Sequence, residues 1–176
     1  NGAIGWSFPF GMRGPTVNAA TPITWRDQTN GHHLLVTASY GIGSVCTMFT
    51  KTEVTPQWSG TDSLASQYCT PILREGYLYC IDGRDDGPPG AMTCIDATTG
   101  KAVWREDNFG YGSLLAADNK VLAVKTNGDI ALLDVSPQGM TVLGRNQPLP
   151  GTLRALPALA QGKLFVRNDN TLTCLD

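Results

Sequence analysis

The sequence predicts an all-β fold assembled from short strands in a repeating unit. The 176 residues include 20 glycines and 11 prolines, and long helical periodicities are scarce. Short runs rich in β-forming residues, such as 77–81 and 163–166, are bracketed by turn pairs such as Asn127-Gly128. With 41% hydrophobic and 16% charged residues, the chain can bury a core and does not have a disordered composition.

An internal repeat is the main signal in the sequence. Segments 70–79 and 156–165 both have proline at their second position and glycine at their seventh, 86 residues apart. A third copy without the proline, 114–122, lies about halfway between them, and an earlier copy begins at Thr21-Pro22-Ile23. This spacing indicates a unit of about 40–50 residues, which is the length of a propeller blade.

The second half of each unit also recurs. A short apolar strand ends in aspartate in three units, namely Cys94-Ile95-Asp96, Leu132-Leu133-Asp134 and Cys174-Leu175-Asp176. A tryptophan closes successive units at Trp6, Trp58 and Trp104. Between Gln67 and Arg105 we predict four strands, at about 68–73, 77–82, 91–96 and 101–105.

A four-stranded antiparallel unit repeated radially is a blade of a β-propeller. We count about four blade equivalents in a single domain, 1–176, at about 18–58, 67–105, 112–145, and 154–176 plus 3–8. The segment 3–8 is expected to be a lone N-terminal strand that completes the last blade, because this pairing would cover two exposed strand edges. A β-sandwich with coincidental spacing and a solenoid are the alternative folds.

One unit contains a complete motif. The run from Cys94 to Trp104 resembles the D-x-x-T-G-K-x-x-W repeat of pyrroloquinoline quinone (PQQ)-like propellers, the superfamily of quinoprotein alcohol dehydrogenases and BamB-like proteins. The other units are degenerate. Asp96 can accept backbone N–H groups in a turn where Gly100 supplies a positive φ. The resemblance implies that Asp96, Gly100 and Trp104 have a structural role in docking neighbouring blades.

The resemblance also bears on the number of blades. Members of this family usually have six to eight blades, whereas this chain supplies about four. A small closed ring, a homodimer of two half-rings and a piece of a longer parent chain are all compatible with that number. We favour a piece of a larger family protein whose fragment closes or pairs.

Propellers usually bind ligands at the channel mouth, where the first strand of each unit begins. The equivalent positions here predict a ligand-binding set, which is Asn18, Gln67, Tyr68, Tyr111 and Arg154. Two aromatic rings, two amides and one guanidinium can stack on and hydrogen-bond a small polar ligand or a protein segment. The alternative is that these residues only line a water-filled channel.

Catalysis receives little support from the residues. Active quinoprotein dehydrogenases hold PQQ over calcium and often pair two adjacent cysteines, and no Cys-Cys pair occurs here. The carboxylates of Asp82, Asp85 and Asp86 do not follow the spacing of an EF-hand, so a solvated loop tip is favoured. His32 and His33 face opposite sides of a strand and cannot easily share a metal. We expect no catalytic residue, no cofactor and no metal site.

Five cysteines, Cys46, Cys69, Cys80, Cys94 and Cys174, are expected to be mostly free thiols, since the count is odd and no C-x-x-C occurs. Three of them, Cys46, Cys94 and Cys174, occupy one repeat position and are predicted to act as small buried hydrophobes.

Charge and hydropathy exclude several functions. The formal net charge of −2 and the absence of a basic stripe argue against nucleic-acid binding. No apolar run approaches the ~18–20 residues of a membrane span, and the chain, which begins at Asn1, does not open with a secretory signal. Export to a bacterial periplasm or cell envelope is what the family resemblance implies.

The sequence therefore favours a non-catalytic β-propeller module that binds or scaffolds. Its expected partner is a protein or a small polar ligand at the channel mouth. One alternative is a fragment of a PQQ- and calcium-dependent quinoprotein alcohol or sugar dehydrogenase. A second is a purely structural repeat fragment without a ligand.

Overall fold

A computed structural model confirms the all-β fold and describes residues 2–11, 14, 17, 19–62 and 64–176. In these ranges, fifteen strands form four antiparallel sheets that follow one another along the chain. Neighbouring strands in each sheet are consecutive in sequence, so every sheet is a simple meander. This is the blade architecture of a β-propeller.

The four sheets are called blades 1 to 4. Blade 1 contains β1 (Ile23–Arg26), β2 (His32–Ala38), β3 (Gly43–Phe49) and β4 (Val54–Gly60). Blade 2 contains β5 (Ile72–Arg74), β6 (Tyr77–Asp82), β7 (Ala91–Asp96) and β8 (Ala102–Glu106). Blade 3 contains β9 (Gly112–Ala117), β10 (Lys120–Lys125), β11 (Ile130–Ser136) and β12 (Gly139–Asn146). Blade 4 contains β13 (Ala158–Ala160), β14 (Lys163–Arg167) and β15 (Leu172–Leu175).

The strands predicted for blade 2 agree with the structure at 77–82 and 91–96, and the outer strand is shifted by one residue. The first strand is shorter than predicted and begins at Ile72. The reason is that the backbone N–H groups of Tyr68 and Cys69 donate to the Tyr111 hydroxyl of blade 3, so this segment is not paired as a strand.

A bulge recurs at the same place in three blades and shows that the units are equivalent. The register between the third and outer strands shifts after Cys46, after Cys94 and after Leu132. An extra residue in one strand bends that strand and increases its local twist. Directly opposite these three residues, the outer strands place Trp58, Trp104 and Gly144.

Apolar packing between the blades forms two clusters. The larger one joins blades 1, 2 and 3 and includes the fully buried Leu35, Tyr79 and Leu133. The smaller one lies between blades 3 and 4 and includes Val124 and Val166. Burial of these faces is the main stabilising term, at about 25 cal/mol per Å² of apolar surface removed from water.

Two outer-strand tryptophans join neighbouring blades by the same contact. The indole N–H of Trp58 donates to the Ala97 carbonyl of blade 2 at 2.9 Å, and that of Trp104 donates to the Ser136 carbonyl of blade 3 at 2.8 Å. The Trp58 ring lies against Gly100, where an added Cβ would be 2.4 Å from the ring. Gly100 has φ +71°, and the turn it occupies is held by the Asp96 carboxylate, which accepts two backbone N–H groups.

Blade 4 differs from the expectation drawn from the sequence. It has three strands, and residues 3–8 do not pair with β15 in this chain. Instead, Trp6 donates its indole N–H to the Thr50 carbonyl at 3.0 Å, and its ring packs on Phe49 with centroids 5.5 Å apart. An indole needs an apolar surface and a hydrogen-bond acceptor, and it finds both at the end of β3.

The five cysteines are free thiols. Burial raises the pKa of Cys46 to about 12 and that of Cys94 to about 11, so neither forms a thiolate readily. Cys174 is exposed, in contrast to the burial predicted from its repeat position, because no outer strand among the described residues covers the edge of β15 on which it lies.

Replacing Gly100 with alanine should destabilise the fold more than replacing Gly76. Both glycines have positive φ, which costs other residues roughly 1–2 kcal/mol. The Cβ added by Gly76→Ala has no other atom within 4 Å, whereas the Cβ added by Gly100→Ala also clashes with the Trp58 ring. Urea denaturation should show an additional loss of about 1–3 kcal/mol for Gly100→Ala. Equal losses for the two variants would contradict the packing of Trp58 on this turn.

Thiol titration should distinguish Cys174 from the four buried cysteines. With Ellman's reagent, one thiol should react rapidly in the folded protein and the other four only after denaturation in urea. A Cys174→Ser variant should lose the rapid phase and retain the slow one. Rapid reaction of more than one thiol in the folded protein would contradict the burial described above.

Candidate functional site

A pocket of about 300 Å³ lies where the first strands of three blades begin. Its lining is Ala19, Thr21, Tyr68, Thr70, Arg154 and Leu156. Thr21, Thr70 and Leu156 each precede the proline of the repeat, and the other three residues lie two positions earlier in the same units. Blades 1, 2 and 4 therefore contribute the same two repeat positions to this pocket, which is called the inner-edge pocket below.

Arg154 supplies the positive charge of the inner-edge pocket. Its side chain is 68% exposed, and its Nε and Nη2 atoms donate to Asp85 Oδ2 at 2.7 and 2.6 Å. Asp85 is only 14% exposed, so the carboxylate is a fixed anchor on blade 2 for an arginine that precedes blade 4. This hydrogen bond raises the pKa of Arg154, which stays cationic at any physiological pH.

Tyr68 supplies the aromatic surface. Its ring meets Tyr111 edge to face, with centroids 4.8 Å apart and an interplanar angle of 87°. The Tyr68 hydroxyl is buried, and within the described part of the chain it has no hydrogen-bond partner. Burial raises the pKa of this phenol, so the hydroxyl keeps its proton.

Tyr111 and Gln67 support the pocket from behind. The Tyr111 hydroxyl accepts the backbone N–H groups of Tyr68 at 2.8 Å and of Cys69 at 3.2 Å, and lies 3.0 Å from Ser66 Oγ. The Gln67 side chain is buried as well; its amide donates to the Tyr40 hydroxyl and accepts the backbone N–H of Asp85. Neither side chain has a free polar atom for a ligand.

The structure thus separates the five predicted ligand-binding residues. Tyr68 and Arg154 line one pocket, while Gln67 and Tyr111 are buried supports. Asn18 lies outside the described residues. Sequence reasoning missed Thr21, Thr70 and Leu156 in the lining, although their shared place before a repeated proline was a usable signal. No sequence signal indicated that Asp85 anchors Arg154.

The carboxylates of Asp82 and Asp85 in the 82–90 loop each bind their own partners. Asp82 accepts the backbone N–H of Ala65 and pairs with Arg105 at 2.7 Å, whereas Asp85 pairs with Arg154. Within the described ranges, no three His, Cys, Asp or Glu residues lie together as metal ligands would. The oxygen atoms of Asp82 and Asp85 are thus already engaged by arginine side chains and a backbone N–H group.

The two histidines also point to separate neighbours. His33 Nε2 lies 2.8 Å from Asp27 Oδ2, and its ring stacks on Trp25 at 5.2 Å. The His32 ring contacts Phe49 instead. The two rings lie on opposite faces of the sheet, because successive side chains of a strand alternate between its faces.

Comparisons with known proteins support the fold. The crystal structure of BamB from Moraxella catarrhalis superimposes with a TM-score of 0.58 at 14% identity, covering 87% of this chain and 45% of that chain. The computationally designed Ika8 protein gives a TM-score of 0.54 at 16% identity, covering 86% of this chain and 44% of that one. The chain therefore spans less than half the length of either structure.

No family model and no curated protein matches the chain. At these identities the two structural neighbours establish a class of fold, the β-propeller, and leave function to the site. No helix in the described part of the chain is long and apolar enough to cross a membrane.

Removing the Tyr111 hydroxyl should destabilise the protein, whereas removing the Tyr68 hydroxyl should not. Tyr111→Phe leaves two backbone N–H groups without their acceptor, at a cost of about 1–3 kcal/mol each when buried. Tyr68→Phe removes a hydroxyl without a partner and should change the free energy of unfolding by less than about 0.5 kcal/mol. Urea denaturation of both variants measures the difference, and similar stabilities would contradict the support role of Tyr111.

Proposed function

We propose that this chain is a non-catalytic binding or scaffold module of the PQQ-like propeller type, with the inner-edge pocket as its recognition site. The observation that carries the proposal is that the exposed guanidinium of Arg154 and the side chain of Tyr68 line the same pocket. The ligand is an acceptor-rich polar group, such as a carboxylate side chain or chain terminus of a partner protein, or a small molecule with the same groups.

The geometry suits recognition because the polar groups are held in place before a ligand arrives. Asp85 orients Arg154, and the edge-to-face contact with Tyr111 orients Tyr68. Groups fixed in advance lose little conformational entropy on binding. Arg154 uses Nε and Nη2 on a single oxygen of Asp85, so Nη1 has no partner in the described part of the chain and is available to an acceptor.

Leu156 and Thr70 complete the recognition surface. Leu156 is exposed and adds an apolar contact beside the charged group. The Thr70 hydroxyl accepts the backbone N–H of Thr21, which joins blades 1 and 2 at the wall of the pocket. A small number of placed polar groups beside apolar surface is typical of ligand sites.

A peptide-binding experiment tests this function. A displayed library of random peptides is selected on the purified chain, and the recovered peptides are measured by fluorescence anisotropy. Arg154→Ala should weaken binding at least tenfold, about 1.4 kcal/mol. Arg145→Ala, which removes an exposed arginine from β12, is the matched control and should leave binding unchanged.

Each alternative predicts a different result. Binding that is insensitive to Arg154→Ala and Tyr68→Ala would place recognition elsewhere. Failure to recover any binding peptide would favour the purely structural alternative. Saturable binding of PQQ with calcium, together with dye-linked oxidation of an alcohol, would replace this proposal with a quinoprotein dehydrogenase.

Export to a bacterial periplasm or cell envelope stays a prediction from the resemblance. Under the same proposal, the module belongs to a larger propeller, completed by a second copy or by a longer parent chain. The inner-edge pocket lies within one copy of the chain, so its test does not depend on which of these applies.

A further inference from the structure

Three tryptophans make equivalent contacts with three successive blades. Trp58 and Trp104 lie on outer strands, and each donates to a carbonyl where the third strand of the next blade ends. Trp6 donates in the same manner to Thr50, which directly follows β3 of blade 1. Trp6 therefore occupies, on blade 1, the place that an outer-strand tryptophan of a preceding blade would occupy.

The adjoining ring contacts agree with this assignment. The Trp6 ring packs on Phe49, the last residue of β3. His32 pairs with Phe49 across β2 and β3, so these two rings share one face of blade 1. That face is opposite the one bearing Leu35, Cys46 and Trp58, which is directed at blade 2. The face that carries Trp6 is thus an inter-blade face.

Blade 4 offers the complementary half of such a contact. Its strands place Ala158, Phe165 and Cys174 directly opposite one another, the row that in blade 2 is Ile72, Tyr79, Cys94 and Trp104. Within the described residues, the free edge of β15 has no strand beside it, and Cys174 is exposed. In blades 1 and 2, the outer-strand residue directly opposite the equivalent cysteine is a tryptophan.

We propose that residues 4–8 of one copy pair along β15 of a second copy, with Trp6 opposite Cys174, while Trp6 remains docked on its own blade 1. The register follows from the other blades, where Trp58 lies opposite Cys46 and Trp104 lies opposite Cys94. Extending that register places Ser7 opposite Thr173, as Ser59 lies opposite Val45 and Arg105 opposite Thr93.

Reciprocal pairing of two copies completes blade 4 in each and joins blade 4 of one copy to blade 1 of the other. The pairing covers the exposed edge of β15 and that of the segment 4–8 together. Covering exposed strand edges is one way in which proteins avoid uncontrolled strand pairing. In a two-fold symmetric dimer, the N-terminal segment of each copy pairs with β15 of the other, so both contacts use the same pair of surfaces. The aligned shares of the BamB and Ika8 chains, 45% and 44%, agree with this chain forming half of a propeller.

Crosslinking tests the register and the origin of the strand. In a Cys174→Ala background, Ser7→Cys and Thr173→Cys are combined, since directly opposed residues have Cβ atoms about 4.5–5.5 Å apart. Mild oxidation with diamide should yield a covalent dimer on a non-reducing denaturing gel, and dithiothreitol should reverse it. The Ser7→Cys variant alone, in the same background, is the control and should remain monomeric on the gel.

Two results would overturn the proposal. An intrachain disulfide, seen as an oxidised monomer, would mean that the chain completes blade 4 with its own N-terminal segment. No crosslink at all would mean that a different segment, such as part of a longer parent chain, covers β15.

The mass in solution provides a second readout that needs no engineered cysteine. Light scattering should give about twice the monomer mass of 18.8 kDa for the unmodified chain. Trp6→Ala should weaken the dimer at least tenfold, whereas Leu143→Ala, which truncates an exposed apolar side chain on β12, should not. A monomeric mass at all concentrations would contradict pairing between copies.

Discussion

The indole contact between neighbouring blades is the interaction on which the rest of the structure depends. A sheet of four strands cannot bury both faces by itself, and its stability comes from stacking on the next sheet. Trp58 and Trp104 satisfy their own N–H groups on the neighbouring blade while covering apolar surface there. Gly144 occupies this position in blade 3, where an apolar cluster that includes Val124 and Val166 joins blades 3 and 4 instead. The repeat thus tolerates loss of the tryptophan only where an apolar cluster takes over its role.

The inner-edge pocket depends on this stacking because its parts come from different blades. Asp85 of the blade 2 loop orients Arg154, which precedes blade 4, across 69 positions of sequence. The Tyr111 hydroxyl accepts the backbone N–H of Tyr68 and thereby holds the segment that carries the Tyr68 ring. Buried polar groups that are hydrogen-bonded, such as the Tyr111 hydroxyl, hold this part of the surface in a single geometry.

The charged groups of the loop 82–90 illustrate why the fold alone does not fix the chemistry. One fold can host many functions, and the residues of a site decide which of them it performs. Here Asp82 and Asp85 are each paired with an arginine, so the acidic loop serves as an anchor for cations of the protein itself.

The sequence by itself determined the features that depend on local pattern. Alternating β-forming runs, turn glycines and the repeated Pro and Trp positions were sufficient for the strands at 77–82 and 91–96 and for the four sheets. Only the tertiary structure decided which side chains face the pocket: the Tyr111 hydroxyl turns inward to hydrogen-bond partners that lie 42 to 45 residues away. It also decided that Trp6 docks on blade 1, 44 residues from its acceptor, rather than pairing with β15 of the same chain. The physical reason is that periodicity sets the conformation of a strand, whereas hydrogen bonds between blades depend on the relative placement of distant segments, which no local pattern encodes.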